Sequence, residues 1–240
     1  MHIGIIFPVL KNWNGLAQAI NSIRTKHKYD LFIVDNQLRK LSLAAAWNLG
    51  TYSLITREAE IIFICNDDII FSPVTIDAIV DRLMKEDSPA LVSATNKRGQ
   101  MEPKEILNFI PNPNEISEAP HPDFSCFAIP KSTFVEVGEF DANFNPAFFE
   151  DNDYAARIVL SDKVGLATTA APYYHFGSVT QNYDGTDNPV VPGPAFNKCR
   201  DYFKEKWGST PVNEPEEMKK IYYKHPFNDP RFSLRDWPRP

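Results

Sequence analysis

The chain has 240 residues, of which 43% are hydrophobic and 23% are charged, as in ordinary globular proteins. Its formal net charge of −6 argues against a broad nucleic-acid-binding surface, so we do not expect nucleic acid as a partner. No apolar stretch is long enough to span a bilayer, and residues 1–10 lack the features of a signal peptide.

The three cysteines point to a reducing compartment. Cys65, Cys126 and Cys199 are odd in number and far apart in the sequence, and two of them sit in apolar runs. Buried free thiols are usual in such runs, and the spacing fits neither a disulfide framework nor a zinc site. We therefore expect a cytoplasmic protein, either free or peripheral to a membrane.

The N-terminal part of the chain predicts a strand, a helix and a second strand. Residues 3–9 form the first strand, whose regular pairing Pro8 is expected to end. Asn14 is in position to cap a helix over residues 15–25, and residues 31–34 form the second strand. This order predicts a right-handed parallel crossover. There is no G-x-G-x-x-G between the strands, so a Rossmann dinucleotide site is not supported.

Asp35 and Asn36 follow the second strand. A carboxylate at the C-terminal end of a strand can accept hydrogen bonds from a base or a ribose. Alternatively it caps the next loop, and Asp35 taken alone favours the cap. Residues 42–52 then predict an Ala-rich helix, in which Asn48 and Gly50 could close the C-terminal end.

Residues 61–71 are the stretch around which the rest of the chain is organised. An apolar run leads to the triplet Asn66, Asp67 and Asp68, and a second apolar run follows. The first run predicts a buried parallel strand, with the triplet at the sheet edge where ligands bind in α/β proteins. Adjacent carboxylates repel each other unless a positive charge shares the site, and a divalent cation with a phosphate-bearing ligand would supply it. The alternative is a surface turn, but so apolar a setting favours the cation.

The next elements continue the α/β pattern. They are a helix over 74–85, a strand over 90–94, a strand over 124–129 and a helix over 130–137. Between the two strands, residues 96–122 are polar and rich in proline. This segment is either an active-site loop with a short helix near 104–109 or a surface excursion.

A second acidic cluster, Glu-Asp-Asn-Asp, occupies residues 150–153 and precedes a helix over 154–160. Acids at a helix start are favoured by the helix dipole, so the cluster can be read as a simple N-terminal cap. However, Phe148 and Phe149 would bury the chain up to Glu150. Acids at the edge of a core can be partly desolvated, which suits a general base.

Residues 164–169 predict a last strand, and His175 follows between aromatic residues and a glycine. A lone histidine in such a setting is more often a core residue than a ligand. Here the two acidic clusters upstream make a metal-ligand role more plausible.

The composition changes after Ser178, with many prolines and aromatic residues and predicted helices over 195–207 and 214–223. The Trp and Tyr content argues against plain disorder. We expect a main domain at 1–178 and an extension at 179–240. The extension would wrap the domain, complete the acceptor side, or make the subunit contact of a homo-oligomer.

In their order and spacing, the triplet, the acidic cluster and residues 175–180 resemble the family 2 glycosyltransferases of the GT-A fold, over residues 3–180. The resemblance implies an α/β fold: a GT-A-like single domain with a mostly parallel central sheet flanked by helices, plus the Pro/aromatic-rich extension. It departs from the family at Trp47, where many relatives have Arg, and after Asp35, where the usual Gly-Ser-Thr is replaced by residues 36–38.

The resemblance also implies roles for individual residues. The nucleotide-sugar site would comprise Pro8, Asp35, Asn36, Asn48, Asn66 and Asp67. Asp68 and His175 would hold a divalent metal, Mn²⁺ or Mg²⁺. Asp151 would be the catalytic base, with Glu150 and Asp123 on the acceptor side.

The implied reaction is an inverting transfer of a sugar from a nucleotide-sugar donor to the hydroxyl of a glycan, a lipid-linked or another acceptor. One alternative is a nucleotidyltransferase, which also pairs acids around Mg²⁺ but usually has a Gly-rich basic loop after the first strand. The other is a non-catalytic glycan-binding module of the same fold, which loss of an acid would favour; both Asp68 and Asp151 are present.

Overall fold

The computed structural model describes residues 1–177 and 193–222. The strands are β1 (His2–Val9), β2 (Lys28–Asp35), β3 (Ile61–Cys65), β4 (Ile69–Phe71), β5 (Leu91–Asn96), β6 (Glu118–Ala119), β7 (Cys126–Pro130) and β8 (Gly165–His175). The helices are α1 (Trp13–Ser22), α2 (Asn36–Arg39), α3 (Leu43–Ile55), α4 (Thr75–Leu83), α5 (Pro103–Ile106), α6 (Lys131–Val137), α7 (Glu150–Leu160), α8 (Pro194–Trp207) and α9 (Pro215–Tyr222). The predicted domain boundary, together with Ser178, Tyr223 and Trp237, lies outside the described residues.

The described strands form one sheet in the order β2-β1-β3-β7-β5-β8-β4, with β6 paired to β8. Strands β1, β2, β3, β5 and β8 point the same way, whereas β4, β6 and β7 run against their neighbours. The α/β class with a central sheet flanked by helices is therefore confirmed, and the sheet is mixed. The first crossover, β1-α1-β2, joins adjacent parallel strands as predicted.

Helices cover both faces of the sheet. On one face α1 and α4 bury Leu16 and Ile76, and on the other α3, α6 and α7 bury Trp47, Phe134 and Tyr154. Removal of these side chains from water is the main favourable term in such packing. In the described part of the chain, no helix is both long and apolar enough to cross a membrane.

Helix α1 begins earlier than predicted, and its cap is Asn12 rather than Asn14. The Asn12 Oδ1 accepts from the Gly15 N–H at 3.1 Å, while its Nδ2 donates to the Asp67 carbonyl at 3.1 Å. A Cβ on Gly15 would lie 2.4 Å from that same carbonyl oxygen. The start of α1 is therefore fastened against the acidic triplet, and only glycine permits this approach.

Helix α3 continues to Ile55, so Asn48 and Gly50 lie inside it and do not close it. A Cβ on Gly50 would lie 2.7 Å from the Ile6 side chain. Glycine is accepted here, despite its low helix propensity, because the helix passes so close to β1.

Pro8 ends the pairing of β1 on one side only. It remains in register with Val34 of β2, whereas the pairing of β1 with β3 stops at Ile6, opposite Ile64. Proline has no N–H to donate, so Pro8 cannot extend the hydrogen-bond ladder between β1 and β3.

The cysteines are far apart in sequence, but Cys65 and Cys126 are neighbours in space. They face each other across β3 and β7, with their Sγ atoms 4.0 Å apart. This distance is about twice a disulfide bond, and all three cysteines are buried free thiols. The expectation of no disulfide framework agrees with this arrangement.

Helices α8 and α9 pack on the outer side of α7. Phe203, Trp207 and Tyr222 form a buried apolar cluster with Phe144 and Val159. Both helices were predicted from the sequence to within two residues at each end.

Candidate functional site

The acidic triplet lies between β3 and β4, and both carboxylates are buried, with Asp67 4% and Asp68 5% exposed. Strand β4 pairs with the end of β8, which sets Ile69 opposite His175. As a result the Asp68 Oδ1 lies 3.0 Å from the His175 Nε2. The Phe176 N–H also donates to the Asp68 carbonyl at 3.0 Å. The two predicted metal ligands are thus brought together from distant parts of the chain.

Asn66 joins the same group. Its Nδ2 is 3.4 Å from the His175 Nε2, and its backbone N–H donates to the Ser125 carbonyl at 2.8 Å. Asp67 contributes its carbonyl to Asn12, as described above. The triplet is therefore held from three directions by α1, β7 and β8.

The residues present fit a divalent cation that is shared with a ligand. Asp68 and His175 offer one carboxylate and one imidazole, and no group of three or more His, Cys, Asp or Glu side chains capable of holding a metal occurs in the described ranges. Mg²⁺ is often held in this way, by one or two carboxylates plus substrate phosphates and water. Imidazole is also an accepted ligand for transition metals.

Asp123 lies beside this group and is firmly positioned. Its Oδ2 accepts from the Tyr173 hydroxyl at 2.7 Å, and its Oδ1 accepts from the Ser125 N–H at 2.8 Å. Its own N–H donates to the Ser93 hydroxyl at 2.8 Å. Tyr173 is stacked on His175 with ring centroids 6.3 Å apart, so Asp123 is connected to the Asp68–His175 pair through one side chain.

The second acidic cluster is the first turn of α7, which starts at Glu150 rather than 154. The two residues before it, Phe148 and Phe149, have φ values of 88° and 71°. This left-handed conformation is costly for bulky residues, at about 1–3 kcal/mol each, and such strain often occurs at functional sites. Both rings pack against Phe196 of α8, which holds the turn in place.

Asp151 has the properties of a tuned carboxylate. Burial raises its pKa, a hydrogen bond from the Asn152 N–H at 2.8 Å lowers it, and the negative charge of Asp123 raises it. The net effect is a raised pKa.

Glu150 is more deeply buried than Asp151, at 5% exposure. Burial, followed by the charge of Asp151, raises its pKa to about 8. Its Oε2 has no hydrogen-bond partner among the described residues. The raised pKa of Glu150 favours its protonated form at neutral pH.

Asp153 has a structural part instead. Its Oδ2 accepts from the Arg157 Nε at 2.9 Å, and its Oδ1 is 2.6 Å from the Lys206 Nζ and 2.9 Å from the Trp207 Nε1. Lys206 also lies 2.6 Å from Asp141. Burial would raise the pKa of Asp141, but the charge and hydrogen bond of Lys206 outweigh it and lower the pKa. Asp153 is thus committed to a buried charge network.

Three residues predicted to bind the nucleotide sugar have other partners in the structure. Asp35 caps α2 by accepting from the Leu38 N–H at 3.3 Å, the alternative that the residue alone favoured. The amide of Asn36 bonds the backbone of Leu41 in both directions, at 2.8 and 2.9 Å.

Asn48 is fully buried, and its side-chain amide bonds the N–H and carbonyl of Phe140 at 2.9 and 2.8 Å. Its amide is thus used to hold the loop that leads to α7. Asp35, Asn36 and Pro8 all lie at the ends of β1 and β2, in the part of the sheet next to β3.

A pocket of about 240 Å³ opens beside Asp151. Its walls come from the loop before β7, from α7 and from the start of α9, and include Phe124, Ala155 and Met218. An ion pair between His121 and Glu214, at 3.4 Å, joins the loop to the segment before α9. The pocket is mostly apolar, with one carboxylate in its wall, as is usual for small-molecule sites.

Sequence reasoning missed two residues that organise the site. One is Asn12, whose position three residues before Gly15 fits an N-cap and could have identified it. The other is Asn96, whose Oδ1 accepts from the His175 N–H at 3.1 Å. No local pattern indicates Asn96, because its partner lies on another strand.

Comparison with known proteins supports the fold. No protein-family model matches the chain. A Galactofuranosyl glycosyltransferase from Leishmania donovani is 23% identical over an alignment of 222 positions, and the match covers 72% of this chain and 51% of that protein. The chain thus spans about half the length of this relative.

Solved structures also resemble the chain, and two of them are glycosyltransferase complexes. GalNAc-T7, crystallised with UDP, GalNAc and Mn²⁺, gives a TM-score of 0.54 at 13% identity over 73% of this chain and 44% of the other. A Drosophila beta1,4-galactosyltransferase 7 mutant, in complex with manganese, UDP-Gal and xylobiose, gives 0.52 at 11% identity, over 79% and 76%. These neighbours are glycosyltransferases of the GT-A fold, and the likeness shows that this chain has that fold.

Proposed function

We propose that this protein is a metal-dependent glycosyltransferase that moves a sugar from a nucleotide-sugar donor to an acceptor hydroxyl. The observation that carries the proposal is the 3.0 Å contact between the side chains of Asp68 and His175, which fit a shared divalent cation. Asp123, which is connected to this pair through Tyr173, also contributes to the raised pKa of Asp151. Transfer from a donor with a charged leaving group needs positive charge beside that group and a base beside the acceptor hydroxyl. Asp68 and His175 could hold a cation for the first purpose, and Asp151 is a carboxylate for the second.

On the donor side, Asp68 and His175 would hold the divalent cation. The cation, when bound, would neutralise the charge that develops on the diphosphate leaving group. Asp67 would lie near the ribose, with Asn66 beside it. The complexes of the neighbours with UDP and manganese support a nucleotide-sugar donor and a divalent cation.

On the acceptor side, Asp151 would act as the general base. It would accept the proton of the acceptor hydroxyl while that oxygen attacks the anomeric carbon, on the face opposite the leaving group. A new carbon–oxygen bond forms, the bond to the diphosphate breaks, and the nucleoside diphosphate leaves. The configuration at the anomeric carbon is inverted, and the enzyme needs no covalent intermediate.

The pocket beside Asp151 gives the acceptor a place to bind. A hydroxyl presented from this pocket would reach a base whose pKa is already raised by burial, which improves its basicity. A raised pKa also keeps the neighbouring Glu150 neutral, so a second negative charge does not repel the donor. Glu150 and Asp123 would then shape the acceptor side without taking the proton.

The test is metal-dependent binding of UDP, measured by titration calorimetry with and without Mn²⁺. Asp68→Asn keeps the size of the side chain and removes its charge, so we expect at least about a tenfold loss of Mn²⁺-dependent affinity, as for a lost charged contact. Asp162→Asn is the matched control, because the Asp162 side chain is 90% exposed. Equal Mn²⁺-dependent affinity in Asp68→Asn and the parent protein would contradict the site assignment.

A further inference from the structure

Arg98 lies over Gly177, two residues beyond His175. A Cβ on Gly177 would be only 2.2 Å from the Arg98 Nη1, and Gly177 has a φ of 74°. A side chain at position 177 would therefore displace the guanidinium group and would also be strained. The glycine at position 177 thus leaves space for the guanidinium of Arg98.

The backbone of Arg98 is tied to that of His175 by one side chain. The Asn96 Oδ1 accepts from the Arg98 N–H at 3.0 Å and from the His175 N–H at 3.1 Å. A tight turn follows, closed by a hydrogen bond from the Gln100 N–H to the Lys97 carbonyl at 3.0 Å, and its Gly99 has a φ of 80°. The position of Arg98 is thus fixed relative to the metal-ligand pair.

In the described part of the chain, Arg98 lacks the carboxylate partner that three other arginines have. Arg82, Arg157 and Arg200 each lie within 3.2 Å of a carboxylate. Within residues 1–177 and 193–222, no carboxylate lies at ion-pair distance from Arg98, which is exposed. Its guanidinium is adjacent to Gly177, and the preceding residue, Phe176, donates to the Asp68 carbonyl.

We propose that Arg98 and Gly177 form a subsite for the diphosphate of the donor, next to the cation held by Asp68 and His175. This inference rests on the proposed function. A guanidinium presents paired N–H donors that match phosphate oxygens, and the absence of a side chain at Gly177 leaves room for the guanidinium of Arg98. The Arg98 side chain would also stabilise the charge that grows on the leaving group as its bond to the sugar breaks.

The test compares UDP, inorganic pyrophosphate and uridine, each titrated with Mg²⁺ present. Arg98→Ala is expected to weaken UDP and pyrophosphate binding by about 10–100-fold, the effect of a charged hydrogen-bonding group, and to leave uridine binding unchanged. Arg98→Lys should recover part of the loss, since lysine restores the positive charge but not the paired N–H donors of the guanidinium. Arg24→Ala is the matched control, because Arg24 is exposed and bonds only backbone carbonyls in the described chain.

Gly177→Ala provides a second variant that keeps Arg98 itself. The added methyl group displaces the guanidinium, so UDP and pyrophosphate binding should fall together while uridine binding is unchanged. If the parent protein binds UDP with metal and Arg98→Ala binds UDP and pyrophosphate equally well, the subsite is overturned and the proposed function stands. An equal loss of uridine affinity in Arg98→Ala also overturns it. If the parent protein shows no metal-dependent UDP binding, the proposed function itself fails.

Discussion

At the residue scale, Asp151 differs from its acidic neighbours in its surroundings. Asp151→Asn keeps the shape of the side chain but removes its basicity. Because the base acts in the chemical step, we expect kcat to fall about 10²–10⁴-fold, with the affinity for nucleotide sugar and metal unchanged. Single-turnover transfer assays together with calorimetric titration of the donor separate these two quantities.

Asp153 offers the contrasting substitution on the same helix turn. Since it accepts from Arg157, Lys206 and Trp207, Asp153→Asn should lower the melting temperature and leave the chemical step largely intact. Near-normal turnover in Asp151→Asn, with turnover lost instead in Asp153→Asn or Glu150→Gln, would show that Asp151 is not the general base.

The pKa of about 8 at Glu150 predicts a specific dependence of stability on pH. Between the ordinary pKa of an unfolded glutamate and about 8, the folded state holds a proton that the unfolded state has released. The free energy of unfolding therefore falls as pH rises through this window. Glu150→Gln removes the titration, so its melting temperature relative to the parent should increase from pH 5 to pH 8.5. A constant difference across this range would show that Glu150 is not protonated in the folded protein.

Some residue positions could be predicted from the sequence and others could not. The proximity of Asp68 and His175 could be predicted from the order of the motifs, because a resemblance to a family implies its fold and therefore which distant motifs lie close together. The surroundings of Asn48 do not follow, since its partner is the backbone of Phe140, 92 positions away. Whether a polar side chain faces a ligand or bonds a distant loop depends on tertiary packing, which local patterns do not contain.

At the element scale, α8 holds the acidic first turn of α7 through Lys206. Lys206→Met removes the cation that Asp141 and Asp153 share, and leaves two buried carboxylates with weaker compensation. We expect a loss of roughly 3 kcal/mol in the free energy of unfolding. Lys204→Met, at an exposed position of the same helix, is the control. Chemical denaturation measures both, and equal stabilities for the two variants would contradict a supporting part for the network.

Most helices and strands could be located from hydrophobic periodicity, but their ends and directions could not. Helix α1 begins at Trp13 because Asn12 caps it and bonds Asp67, a tertiary contact. Strand β7 runs against β3 and β5, although its apolar sequence resembles that of a parallel strand. A buried strand has the same composition in either direction, so direction is decided by the connections and not by the strand itself.

At the scale of the whole molecule, the C-terminal segment supplies part of the core. Ending the chain at residue 178 would expose Phe144 and Val159, which pack against α8 and α9, and would remove Lys206. We expect the shortened protein to melt at a lower temperature or to lose solubility, because newly exposed apolar surface favours association. An unchanged melting temperature with full transfer activity would make the segment a dispensable tail.

Because β4 pairs with β8, the residues of the candidate site are synthesised at different times during translation. Asn66 and His175 are 109 positions apart, so a ribosome adds the second about 5–20 s after the first. During that interval the nascent chain has Asp67 and Asp68 but not His175. Lys206, which pairs with Asp153, is added later still. Chains whose translation stops before residue 175 therefore lack the contact between Asp68 and His175.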